Sequence, residues 1–189
     1  MITLADDGPH LRLLSTLCAA CPQGPTGCCV SPPRSDWSDL GRIVLRGGRD
    51  FLVAEVASGN LAPCAEGLQM RKVRRRESLL EPRRNKCVYH GPRGCTIHHD
   101  LRPATCNYYL CDDAYAEGGE PKGDAAALAA RREHLALRAR FARWDEEIGA
   151  AVRARWPEGP PWDAPFFDWL GEAAARVEAS LALDDPPSH

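Results

Sequence analysis

The stretch "CAACPQGPTGCC", residues 18–29, sets four cysteines in twelve positions and ends on two that are adjacent. The chain has nine cysteines in all, spaced C-x2-C-x6-C-C, then a lone Cys64, then C-x7-C-x10-C-x4-C. Thiolate is the soft, charged ligand that zinc and iron–sulfur clusters prefer, and two thiolates separated by two residues can turn onto one ion. Two groups of four, each able to complete a tetrathiolate set, make that chemistry the leading reading. Successive side chains in extended backbone point to opposite faces, so Cys28 and Cys29 are poorly placed to share one small ion. The expectation is that they serve two ions or clusters, one of them being donated to a site completed by residues 87–111.

The elements that must hold these residues are short. Residues 18–35 include six Pro and Gly between 22 and 33, which predicts a loop. "DWSDLGRIVLR" predicts a helix capped by Asp36 with Leu40, Ile43 and Val44 on one face, and "DFLVAEVASGN" predicts a second capped by Asp50. From Leu68 an extended start is expected. In "CVYHGPRGCTIH", β-prone triplets at 88–90 and 96–98 flank Gly-Pro-Arg-Gly, predicting a four-residue hairpin turn whose two strands Cys87 and Cys95 open. In the tail, Leu137, Phe141, Trp144, Ile148 and Val152 recur at helical spacing, from a start near Asp124 to a stop at Pro157. A second helix follows Pro165, with Phe166, Leu170, Ala174, Val177 and Leu181 on its apolar face.

Composition separates two regions. Residues 1–111 contain every cysteine and 15 Lys+Arg against 10 Asp+Glu, a formal +5, whereas residues 112–189 contain 9 against 16, a formal −7. The expected architecture is therefore α+β, small and irregular. It joins a metal-stabilised, cysteine-rich domain of short helices and a β-hairpin at 1–115 to a C-terminal helical hairpin packed on it at 116–189. The first residues are acidic with Arg12 inside a short apolar run, a poor secretory signal, and no apolar stretch reaches the ~20 residues that span a bilayer. A cytoplasmic protein is expected, and in that compartment dense cysteines read as metal ligands or redox groups before disulfides.

"CAACPQGPTGCC", "DWSDLGRI" and "CVYHGPRGCTIHHDLRPATCNYYLC" together resemble the C-x-x-C-x-x-C-C cysteine-cluster family, described as zinc- or iron-chelating domain proteins, over roughly residues 15–112. The resemblance implies metal ligation by Cys18, Cys21, Cys28, Cys29, Cys87, Cys95, Cys106 and Cys111, with Arg102-Pro103 as the family's dipeptide. Six residues precede the Cys-Cys here, more than is usual for the family. His98-His99 stands where an aromatic and a polar residue are more usual, which leaves open whether a histidine replaces a sulfur. Flagellin lysine methylases contain a similar cluster, and that analogy leans toward iron–sulfur, while spacing alone leaves iron–sulfur and zinc open.

Other features have plainer readings. Cys64 is expected to be a buried thiol outside the ligand set. His90, His98 and His99 read as surface or strand-packing residues, His98 being the best additional ligand because it follows Cys95 by three. "RKVRRRESLLEPRRNK", residues 71–86, reads as a solvated strand and loop offsetting thiolate charge; it lacks aromatics, and a chain of pI about 6.3 argues against nucleic acid. Trp144, Trp156, Trp162 and Trp169 read as a core or a face for a protein partner or second copy. Three function classes follow: a metal-binding accessory or maturation factor, an iron–sulfur enzyme of redox or protein-modifying group transfer, and a zinc protein binding nucleic acid through 71–86. No Ser-His-Asp set, phosphate loop or dinucleotide turn points to a catalytic residue.

Overall fold

The computed structural model describes residues 1–5, 10–21, 28–75, 84–91 and 94–182. In chain order the elements are β1 (Ile2–Ala5), β2 (Arg12–Ser15), α1 (Thr16–Ala20), a 3₁₀ turn (Cys28–Val30), β3 (Arg34–Ser35), α2 (Trp37–Leu45) and α3 (Arg49–Ala57). Strands β4 (Leu61–Cys64), β5 (Gly67–Met70), β6 (Lys72–Arg75), β7 (Arg84–Cys87), β8 (His90–Gly91) and β9 (Gly94–Cys95) follow. Then come α4 (Thr105–Tyr108), α5 (Asp112–Glu117), α6 (Ala125–Arg155) and α7 (Ala164–Ala182). The class is α+β, with small antiparallel sheets and a C-terminal helical hairpin. Among the described residues no helix is long and apolar enough to cross a membrane.

Two compact units are interleaved along the chain. Unit 1 comprises 1–33, 70–99 and 104–140; unit 2 comprises 34–69, 100–103 and 141–189. Charge and cysteine content change near residue 115, whereas the units divide within α6, between Arg140 and Phe141.

Unit 2 is built on α2 and α7. Asp36 caps α2 as expected, its side chain accepting from the Asp39 amide at 3.1 Å, and a second carboxylate, Asp145, accepts from the Trp37 and Ser38 amides at 2.7 and 3.2 Å. Two orphan donors of the first turn are thereby satisfied from a distant helix. The helices cross closely because Gly41 and Gly171 present no side chain there. A Cβ at Gly41 would fall 2.4 Å from the Ala174 Cβ, and one at Gly171 would fall 2.6 Å from Val44 Cγ1. Leu40, Ile43, Phe166, Phe167 and Leu170 are buried in this unit, each contributing roughly 1.5–3 kcal/mol by removal from water. Buried Arg42 donates to the Asp100 carbonyl at 3.1 Å and to that of Arg102, holding residues 100–103 in the unit. The α3 expectation needs a small correction: Gly48 stands at its N-cap, and Asp50 lies in the first turn, where its charge still suits the helix dipole.

The helical hairpin agrees closely with the sequence. Asp124 accepts from the Ala126 and Ala127 amides at the start of α6, and Leu137, Phe141, Trp144, Ile148 and Val152 are all buried. Trp156 meets Trp169 edge-on at 4.7 Å, and Trp162 stacks on Trp37 at 5.7 Å. These tryptophans therefore make ring contacts within unit 2.

Unit 1 is held by ribbons and short helices. β1 pairs with β2, and β6 with β7 in the register Lys72↔Cys87 to Arg75↔Arg84. The cysteine-bearing hairpin differs from expectation. Cys87 closes β7 instead of opening a strand with residues 88–90, and the tight pair is β8 with β9, His90 opposite Cys95 and Gly91 opposite Gly94. The physical reason is that β6, a run of long cations with one valine, offers β7 a full four-residue partner, which leaves only two residues on each side of the turn.

Candidate metal centre

All eight cysteines proposed as ligands lie in unit 1, and none of the nine cysteines forms a disulfide. Cys18 rides on α1, whose first turn is capped by Ser15 accepting from the Leu17 amide at 3.2 Å. The helix ends at Ala20, and the Cys21 amide donates back to the Cys18 carbonyl at 3.5 Å, so the C-x2-C pair sits across a single turn. α1 packs on α5, with Thr16 Oγ1 donating to Glu117 Oε1 at 3.2 Å, and Cys111 is the residue that caps α5. Cys28 opens the 3₁₀ turn.

The thiol electrostatics sort these residues into sets. Burial, then the charges of Cys111, Cys28 and Cys21, push Cys18 up to about 11, against a smaller opposing hydrogen bond from Ser15. Cys28 is raised by burial and by Cys111 and Cys21, while a backbone hydrogen bond lowers it. Both are exposed as residues, but neighbouring atoms desolvate their sulfurs. Cys29 belongs to different company: burial, then Cys87 and Cys95, and last Cys28, push it up to about 12, partly offset by Lys86. One set is thus Cys18, Cys21, Cys28 and Cys111; the other contains Cys29, Cys87 and Cys95. The adjacent pair faces both ways because the 3₁₀ turn that holds it also packs on β7, which ends at Cys87.

Thiols pushed to such values are protonated at neutral pH and make poor nucleophiles. Mutual repulsion and desolvation are what a bound cation relieves, with protons released as it binds. Spacing adds a constraint. Tetrahedral zinc with Zn–S of about 2.3 Å requires sulfurs about 3.8 Å apart. Among the described residues no three cysteine sulfurs lie within 4.8 Å of one another. Each set is therefore wider than the shell of a single zinc ion.

The other candidates are Cys106, Cys64, His98 and His99. Cys106 is exposed on α4. Cys64 is half-buried on β4 in unit 2, its thiol donating to the Gly67 carbonyl at 3.2 Å. The His98 and His99 rings lie 3.9 Å apart, and consecutive His98, His99 and Asp100 are the described donors that do come within 4.8 Å.

Sequence reasoning missed two neighbours of the thiols. Lys86, expected in a solvated strand, is 1% exposed, and its charge acts on Cys29. A four-residue strand reading Arg-Asn-Lys-Cys offers no apolar alternation that could have signalled this. Of the basic run, Arg71, Lys72 and Arg74 are exposed, and 76–83 lie outside the described residues. Tyr109 is raised by burial and by the charges of Cys28 and Cys111, which places it at the first set. Behind it, His134 Nδ1 lies 3.0 Å from the Tyr115 hydroxyl, and Arg131 sits 3.6 Å above the Tyr115 ring. No family model, no curated protein and no solved structure matches this chain.

Proposed function

We propose that this protein binds metal at two thiolate centres, with Cys28 given to one and Cys29 to the other. The observation that carries this reading is the partition of charges: Cys28 feels Cys21 and Cys111, while Cys29 feels Cys87 and Cys95. Thiolate suits iron–sulfur clusters and zinc alike, and we favour iron–sulfur on the analogy with flagellin lysine methylases, which contain a similar cluster. When bound, such a cluster supplies one-electron redox chemistry or a rigid structural centre. The chain's own contribution is to carry thiols from residues 18–29 and 87–111 in one unit whose sheets have only two strands, where binding free energy becomes folding free energy.

Purification without oxygen, followed by iron, zinc and acid-labile sulfide analysis and a visible spectrum, tests this. Iron and sulfide with broad visible absorption are the expected result; a colourless protein with stoichiometric zinc would replace clusters by zinc, and a metal-free protein would end the reading. Cys28→Ser and Cys29→Ser are each expected to lose about half of the metal. Unchanged content in both would remove the shared-turn arrangement.

A further inference from the structure

Cys111 closes the link between α4 and α5, and the residues on either side of it converge on one side chain of α6. Tyr108 and Tyr109 precede it, and Tyr115 follows it by four positions. Their rings all pack on the His134 imidazole, with centroids 5.6, 5.8 and 6.2 Å away, and the Tyr115 hydroxyl lies 3.0 Å from His134 Nδ1. Tyr115 is tied to Cys111 in turn, because its amide donates to the Cys111 carbonyl at 3.2 Å where α5 begins. Arg131, three residues before His134 on the same face of α6, covers the Tyr115 ring at 3.6 Å and donates to Asp112 at 3.1 Å and twice to Glu120 at 2.8 Å. We infer that His134 is the positioning residue of Cys111, fixing through three tyrosines the segment that carries this thiol. The anchoring stands on these contacts; its consequence for the first centre rests on the two-centre reading above.

The chemistry of the pair suits a fixed anchor. Burial pushes the Tyr115 hydroxyl up to about 12, so it keeps its proton at neutral pH, while burial and then the charges of Arg131 and Arg138 hold His134 below the ordinary imidazole range. A neutral ring offers Nδ1 to that hydroxyl as an acceptor. Tyr115 is fully buried, so loss of the imidazole leaves its hydroxyl without this partner and leaves three rings without the surface they share. The Cys111 side chain makes no cap bond at the start of α5, so the placement of its backbone decides where the sulfur can reach. The long helix thereby serves a site whose cysteines all precede residue 112.

The test uses the full chain purified without oxygen and reads two quantities: metal content, and the rate at which iodoacetamide alkylates each cysteine, followed by mass spectrometry. In His134→Ala, Cys111 is expected to react about tenfold faster than in wild type while Cys64 of unit 2 and Cys95 of β9 keep their rates, and about half of the metal is expected to be lost. Asparagine sets an oxygen near the place of Nδ1, so His134→Asn is expected to stay within about threefold of wild type. Tyr115→Phe removes only the hydroxyl and is expected to accelerate Cys111 about fivefold, adding little once His134 is alanine. An unchanged Cys111 rate in His134→Ala overturns the inference and leaves the metal centres standing. An equal rise at Cys64 and Cys95 also overturns it, since that is general loosening. Wild type without metal, with Cys111 still accelerated in His134→Ala, ends the metal reading and keeps the anchor. Should His134→Ala fail to fold, Tyr115→Phe decides: an unchanged Cys111 rate there overturns the inference.

Discussion

The two units solve the problem of an interior in opposite ways. Unit 2 buries large apolar side chains: Trp37, Leu40, Ile43, Leu52, Phe166, Phe167 and Leu170. Unit 1 buries Ile2, Leu13, Met70, Leu110 and Leu137 as well, but beside them lie alanines at 104, 114, 127 and 130, tyrosines, and the polar or sulfur groups of Lys86, Cys87 and His90. A helix crossing made close by two glycines needs nothing but its own packing, whereas ribbons of two strands are marginal alone. An interior that admits a lysine and a histidine needs compensating charge. The aromatic residues follow the same division: all five tryptophans belong to unit 2 and all four tyrosines to unit 1. Tryptophan emission therefore reports on unit 2 alone.

Stripping the proposed metal is the strongest way to break this comparison. With chelator, amides of α1 and β6 to β9 are expected to exchange orders of magnitude faster, while tryptophan emission and exchange in α2 and α7 hold. Equal loss of protection in both units would mean that one cooperative core stabilises the whole chain. The converse perturbation is Leu170→Ala, expected to destabilise unit 2 by about 2–5 kcal/mol in tryptophan-detected denaturation without changing metal content. Gly41→Ala probes the helix crossing more gently. Its new methyl would meet the Ala174 Cβ, and a cost of about 1–3 kcal/mol is expected. No loss of stability there would show that α2 and α7 have room to separate.

Legibility followed the same division. In unit 2 and the long helix the sequence works by local rules: Asp36 and Asp124 cap where their spacing says, and the stripe from Leu137 to Val152 is buried throughout. In unit 1 the determinants are non-local. Cysteine spacing marked eight residues for a metal site, but which thiols meet depends on α1 packing against α5 and on the 3₁₀ turn packing against β7, pairings that spacing does not encode. The hairpin was misplaced because β7 is claimed by β6, and Lys86 was misjudged because four residues of strand show no alternation that marks it as buried. Interleaving was hidden for a related reason: composition changes once along the chain, but the units exchange segments repeatedly.

The smallest expected effect concerns a charged group of unit 2 whose titration falls in an accessible range. Asp145 accepts two amides of α2 while burial, and then the nearby charge of Asp36, push its carboxyl up to about 6. An unfolded chain releases that proton near pH 3.9. Between about pH 4 and 6 the folded state therefore holds a proton that the unfolded state has lost, and stability falls as pH rises through that window. Because the group is only partly buried, the drop is expected to be on the order of 1 kcal/mol. Asp145→Asn keeps an oxygen acceptor for the Trp37 and Ser38 amides but cannot ionise. Tryptophan-detected unfolding of this variant should lose the slope between pH 4 and 6 while keeping α2, and a slope that persists would assign the titration to another group. Asp145 in the packed unit is thus a helix cap satisfied at either protonation state, whereas buried Lys86 in the ribbon unit acts on the thiol of Cys29.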